Sequence, residues 1–188
     1  QRGIGSGWGV NRTGGQCAVQ AVSRDMARLP EAPDLAVVAT PPQTVPGIID
    51  ELGWRGTRAA VVITAGFGEL GEEGRALQTK MLEAARPHLL RIAGPNCLGI
   101  MAPGNGLNAS FGHVQPGKGN VAFVSQSGAI VTAVLDWATS RGIGFSHVAS
   151  LGGMSDVDFG DMLDYLAADP QTKSILLYIE SITDARKF

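Results

Sequence analysis

Several kinds of signal are scarce in this chain of 188 residues, and each scarcity removes a class of function. Cys17 and Cys97 are the two cysteines, too few for a disulfide framework. No stretch reads as a secretory leader or as an apolar run long enough to span a bilayer, so a cytoplasmic protein is expected. Charged side chains make up only 17% and the formal net charge is -2, which leaves no basic field for nucleic acid or an anionic membrane. His88, His113 and His147 have no partner at metal-ligand spacing, so no metal site is expected.

Apolar residues, at 44%, and glycine, at 26 residues, are plentiful. The glycines gather at the ends of apolar runs, where tight loops need backbone freedom. From residue 34 onward, short β-branched runs alternate with amphipathic stretches, the pattern of a parallel sheet covered by helices. Strands are predicted at 35–39, 59–64 and 89–93, with helices at 45–53, where Val45, Ile48, Ile49 and Leu52 recur at helical spacing, and at 72–85. The passage 101–119 is polar and rich in glycine, with no apolar period, and a domain junction is expected there. The rhythm then restarts with strands at 120–124, 145–151 and 174–179 and helices at 129–141 and 159–168. This gives a first domain over 1–101, a linker over 102–119 and a partial second domain over 120–188 whose sheet is expected to be unfinished at Phe188. Residues 1–33 are hard to read: Gly3, Gly5, Gly7 and Gly9 suggest a dinucleotide fingerprint, yet no apolar strand precedes them, and a loop remnant is the alternative.

In open parallel sheets, ligands bind beyond the carboxyl ends of the strands, where helix starts aim unpaired N–H groups at anions. That rule selects Thr40-Pro41-Pro42, Ile63-Thr64-Ala65-Gly66, Gly94-Pro95-Asn96-Cys97, Ser125-Gln126-Ser127-Gly128 and Glu180. The Ser125–Gly128 loop is either a phosphate receptor or an ordinary serine cap. Glu180 either orients an imidazole at the sheet mouth or is a solvated strand end. Cys97 is either a nucleophile or a buried thiol. Asp156, Asp158, Asp161 and Asp164 sit around a predicted helix start and read as caps and a solvated face.

Five ordered segments carry a family resemblance: residues 34–46 (DLAVVATPPQTVP), 61–71 (VVITAGFGELG), 94–99 (GPNCLG), 120–129 (NVAFVSQSGA) and 175–188 (ILLYIESITDARKF). Together they resemble the ADP-forming acetyl-CoA synthetases, including the form fused to a lysine acetyltransferase, and more distantly the α subunit of succinyl-CoA synthetase. The resemblance implies an α/β fold, a Rossmann-like coenzyme A-binding domain followed by a truncated flavodoxin-like one. It also implies a reversible ligase, in which a carboxylic acid, CoA and ATP exchange with acyl-CoA, ADP and phosphate through an acyl phosphate and a phosphohistidine.

By the same resemblance, Thr40, Pro41, Pro42, Ile63, Thr64, Ala65 and Gly66 line the coenzyme A site, and Asn96 and Cys97 lie near its thiol end. Ser125, Gln126, Ser127 and Gly128 hold the phosphate of the phosphohistidine, which Glu180 contacts. The family's phosphorylated histidine stands in a Ser/Gly/Ala-rich stretch, and none of the three histidines here has that setting. ATP, ADP and Mg are implied only through an ATP-grasp domain or β subunit that this sequence lacks, with homo- or hetero-oligomers in the full protein. The segment alone is therefore expected to bind CoA without completing turnover. Two other readings stand beside it: a CoA- or acyl-CoA-sensing region of a protein lysine acetyltransferase, and an NAD-binding dehydrogenase domain suggested by the early glycines.

Overall fold

A computed structural model describes residues 8–10, 21–23, 26 and 29–188. Gly3, Gly5 and Gly7 of the suspected fingerprint lie outside these residues, and Gly9 falls within β1 (Trp8–Val10), which pairs in parallel with β2 (Ala21–Ser23). A second sheet holds β3 (Leu35–Val38), β4 (Ala59–Val62) and β5 (Arg91–Ala93), parallel and in that order. Between them run α1 (Val45–Arg55) and α2 (Glu72–Ala85). The apolar stripe of α1 buries Val45, Ile49 and Leu52 with Val38, Val62, Met81 and Ile92 in one core. α1 stops at Gly56, whose left-handed φ of 97° lets its N–H return to the carbonyls of Gly53 and Leu52.

The third sheet has five strands in the order β10-β8-β9-β6-β7. β8 (Lys118–Ser125), β9 (Phe145–Ser150) and β10 (Ser174–Tyr178) are mutually parallel, while β6 (Gly99–Ala102) and β7 (Leu107–Ser110) form an antiparallel hairpin beside β9. Alternate side chains of β8 explain the layering: Phe123 enters the core under α3 (Gly128–Thr139), and Ala122 and Val124 enter the opposite core with Phe159 and Leu166 of α4 (Phe159–Ala168). The acidic run is a helix start, as expected. Asp158 and Asp161 make a reciprocal capping box. Burial works against ionisation of Asp158, but Lys187 at 2.8 Å, the Asp161 N–H and the Thr183 hydroxyl hold its pKa down at about 2.

Helices match the expected spans closely, but two strand readings shift. The strand expected from residue 89 begins at Arg91, because Leu89 is in left-handed backbone (φ 52°) after the turn Arg86–His88. The passage 101–119, which showed no apolar period, contains the end of β6, all of β7 and the first two residues of β8, which begins at Lys118.

The outer rim of β5 is closed by the loop that follows β9. Ile92 N–H donates to the Asp156 carboxylate at 2.7 Å, Val157 N–H to the Ile92 carbonyl at 3.1 Å, and Ser155 N–H to the Gly94 carbonyl at 3.1 Å. Arg91 adds bonds to both Asp156 oxygens, at 3.1 and 3.0 Å, and to Asp161 at 3.1 Å. An edge that would otherwise expose unpaired main-chain groups thus becomes the seam between the two larger sheets.

Candidate active site at the joined strand ends

The carboxyl ends of β4, β5, β8 and β9, together with the segment after β10, open onto one cleft of about 410 Å³. Its first wall comes from Gly68, Glu69, Gln78 and Asn96; the other from Gln126, Ser127, Gly128 and Glu180, with Gly152 and Gly153 between them.

The first wall is built from three loops tied together. Thr64 Oγ1 donates to the Thr40 carbonyl at 2.7 Å, and Asn96 N–H to the Thr64 carbonyl at 3.0 Å. Gly66 adopts φ +107°, and a Cβ there would lie 2.8 Å from Pro42, so the Thr40–Pro42 and Ile63–Gly66 segments meet directly. Pro41 and Ala65 are exposed next to this contact. Glu69 folds back onto the turn: its Oε1 accepts from Gly66 N–H at 2.6 Å and its Oε2 from Phe67 N–H at 3.2 Å. Burial works to raise the pKa of this carboxyl, but the amide hydrogen bonds prevail and lower it.

The second wall is held by neutral side chains. Ser125 is fully buried; its Oγ donates to the Ser127 carbonyl at 2.8 Å and accepts from Ser127 N–H at 3.1 Å. Ser127 Oγ caps α3 by accepting from Ile130 N–H at 3.4 Å. The Gly128 and Ala129 amides belong to the helix start, which has no intrahelical acceptor for them. Gln126 is committed to the chain after β10: Oε1 accepts from Glu180 N–H at 3.0 Å and Ser181 N–H at 2.9 Å, and Nε2 donates to Ser181 Oγ at 2.9 Å. The Gln126 side chain thus sets the path of the segment that delivers Glu180 to the cleft.

Between the walls, Gly152 (φ +53°) is required by close approach, since a Cβ would collide with the carbonyls of Pro95 and Asn96. Gly153 N–H donates to the Pro95 carbonyl at 2.8 Å.

Of the residues singled out from the sequence, Asn96, Gln126, Ser127, Gly128 and Glu180 line the cleft. Thr40, Pro42, Thr64 and Gly66 stand together but are not among the lining residues, and neither are Pro41, Ile63, Ala65, Cys97 and Ser125. Cys97 is 4% exposed; its thiol faces the Val62 carbonyl at 3.4 Å, and burial pushes its pKa up to about 12. A nucleophilic thiolate is not what this position supplies. The histidines are engaged elsewhere: His88 with Asp50 at 3.2 Å, His113 with Asp136 at 3.1 Å, and His147 with Tyr165 at 3.2 Å. Glu69, Gln78, Gly152 and Gly153 were not singled out from the sequence. The strand-end rule, applied to the loop after β9, points to the two glycines. None of the described residues lining the cleft is Lys, Arg or His.

A family model described as a CoA binding domain matches residues 5–103, more than half of the chain, and one described as a succinyl-CoA ligase like flavodoxin domain matches 118–188. The chain belongs to this family: a CoA-binding domain joined to a succinyl-CoA ligase-like flavodoxin domain. Within it, the homology is to the α region of ADP-forming acetate–CoA ligases. Acetate–CoA ligase [ADP-forming] I of Archaeoglobus fulgidus is 45% identical over 161 residues, covering 86% of this chain and 24% of that protein. The α subunit of acetate–CoA ligase [ADP-forming] II of Pyrococcus furiosus is 44% identical over 165 residues, covering 88% of this chain and 36% of that one. A solved structure of dinucleotide-forming acetyl-coenzyme A synthetase 1 from Ca. Korarchaeum cryptofilum, in complex with phosphate and ADP, superposes with a TM-score of 0.88 at 35% identity, covering 95% of this chain and 38% of that one. The expected fold class, a Rossmann-like domain followed by a flavodoxin-like one, is borne out. The chain spans well under half the length of each of these relatives. Among the described residues, no helix is long and apolar enough to cross a membrane.

Proposed function

We propose that this chain is the coenzyme A-binding side of a cytoplasmic ADP-forming acyl-CoA synthetase, dividing near residues 102–119 into a CoA domain and a partial ligase domain. In the whole protein a carboxylic acid, CoA and ATP are converted reversibly to acyl-CoA, ADP and phosphate, through an acyl phosphate and a phosphohistidine. The observation that carries the reading is the convergence of strand ends from two sheets on one cleft, with a capped helix start and a carboxylate on the same wall.

The residues fit the parts of such a ligand. The Thr40–Pro42 and Ile63–Gly66 loops, held together by the Thr64 hydrogen bond, form the bed for coenzyme A, with Asn96 toward its reactive end. The start of α3, with Ser127 and Gly128, receives a phosphoryl group through main-chain amides. Ser125 serves by fixing that turn, and Gln126 by positioning Glu180, which orients a phosphorylated imidazole supplied from outside these residues. ATP and Mg chemistry falls to an ATP-grasp domain or partner subunit, and the chain contributes no nucleotide step of its own.

Titration calorimetry of the purified chain with CoA tests this directly. CoA binds, and a mixture with acetate, ATP and CoA accumulates no acyl-CoA until a partner carrying the histidine and the ATP-grasp domain is added. Absence of CoA binding, or sustained turnover by the chain alone, overturns the assignment.

A further inference from the structure

The segment that carries Glu180 has no helix or strand of its own. From Ile179 to Phe188 the chain runs exposed, and side chains of other elements fix its path. Gln126 holds residues 180 and 181 from within the cleft. The rest of the segment is held outside the cleft, at the start of α4, and there the tie is ionic.

Lys187 Nζ lies 2.8 Å from Asp158 Oδ1 and 2.6 Å from Asp161 Oδ2, and Thr183 Oγ1 donates to Asp158 Oδ2 at 3.1 Å. These are the two carboxylates of the capping box, so the helix start and the segment share their acceptors. The Asp161 oxygen that meets Lys187 also accepts from Asp158 N–H and from Arg91 Nη2, both at 3.1 Å. One oxygen therefore joins β5, α4 and the segment of Glu180. Gly160 makes the close approach possible, since a Cβ there would lie 2.6 Å from Lys187 Cγ and 3.1 Å from the Lys187 carbonyl oxygen. Isolated surface ion pairs contribute little, but here one ammonium is shared by two carboxylates that are only 11% and 24% exposed, and its aliphatic stem packs on the helix start. Burial works to lower the Lys187 pKa, but the bonds to Asp158 and Asp161 prevail and raise it.

We propose that Lys187 is a positioning residue for Glu180: its ammonium, divided between Asp158 and Asp161, pins residues 183–188 to α4 and so fixes the direction in which the segment leaves Gln126 and presents Glu180 to the cleft. The proposal rests on the reading that Glu180 orients a phosphorylated imidazole. Without the charge, Gln126 and Thr183 hold the segment alone, and the Glu180 carboxylate spends less time in the orientation that the cleft uses.

The test measures hydrogen exchange and turnover on the whole protein, with its ATP-grasp domain or subunit present. Lys187→Met, which keeps the stem and loses the charge, should speed exchange in peptides covering residues 180–187 by roughly tenfold, the effect of losing hydrogen bonds between charged groups. Turnover should fall severalfold while KM for CoA stays unchanged. Lys187→Arg should restore both, and Arg186→Gln, an equal loss of charge one residue earlier, should alter neither. In a Glu180→Gln background, Lys187→Met should cause little further loss of turnover, because it acts through the carboxylate already removed. Should Lys187→Met melt early, Lys187→Gln, which keeps a neutral donor, gives the reading instead. The proposal is overturned if exchange over residues 180–187 is unchanged without the charge, if Lys187→Arg fails to restore it, or if the loss of turnover persists undiminished in the Glu180→Gln background. If Glu180→Gln by itself costs no turnover, the reading of Glu180 fails, and the exchange result then decides the positioning by itself.

Discussion

The two walls of the cleft reach a similar shape by opposite means. On the first, a charged side chain folds back on its own turn, with Glu69 held by the Gly66 and Phe67 amides. On the second, neutral groups hold the turns: the Ser125 and Ser127 hydroxyls shape the loop after β8, and the Gln126 amide clamps residues 180 and 181. The difference places charge sensitivity on one side and shape on the other. On the first wall the turn already holds an anion of its own, whereas on the second a helix start and the segment carrying Glu180 are set in place by an uncharged clamp.

The comparison can be broken most severely at the point where the walls touch. Gly152→Ala forces a methyl group into the carbonyls of Pro95 and Asn96 at left-handed backbone and should cost about 3 kcal/mol, seen as a lower urea midpoint at unchanged slope. Gln126→Ala removes three hydrogen bonds from an exposed segment and should cost about 1–2 kcal/mol; hydrogen exchange should speed up at Glu180 and Ser181 and not at Gly66 or Phe67. Equal acceleration on both walls would show that they are not held independently. Ser127→Ala deletes the cap of α3 and should lower stability by about 1 kcal/mol, measured by thermal melting, while also weakening phosphate binding.

Acidification gives the mildest probe. The Glu69 pKa is lowered in the folded state, so its contribution is complete above the unfolded value and fades as pH falls through the folded one. Exchange at Gly66 and Phe67 should rise across that acidic window relative to Glu69→Gln, while the Gln126 clamp, which has nothing to titrate, stays indifferent. A clamp that loosened in step would unite the two walls.

Much of this was legible because buried parallel strands and amphipathic helices advertise themselves. The spans 35–38, 59–62 and 145–150 are short apolar runs bounded by turns, and α2 and α4 fall on the expected residues. β7 was not legible: Leu-Asn-Ala-Ser is polar, mostly exposed and at a sheet edge, so neither period nor hydrophobicity marks it. Within the site, the loops were found by the strand-end rule, but the roles inside them were not. Whether Gln126 offers its amide to a ligand or to the Glu180 main chain depends on two segments 54 residues apart. Glu69 likewise reads as one more surface acid until the turn brings two amides to it.

The seam along β5 has a mechanical meaning. Residues 153–157 are stitched to Ile92, Gly94 and Pro95 by main-chain and carboxylate bonds, so levering the two sheets apart would have to sever several of them together. Such a frame behaves as an anvil rather than a jaw, resisting any change in the spacing of the strand ends on either side of the seam.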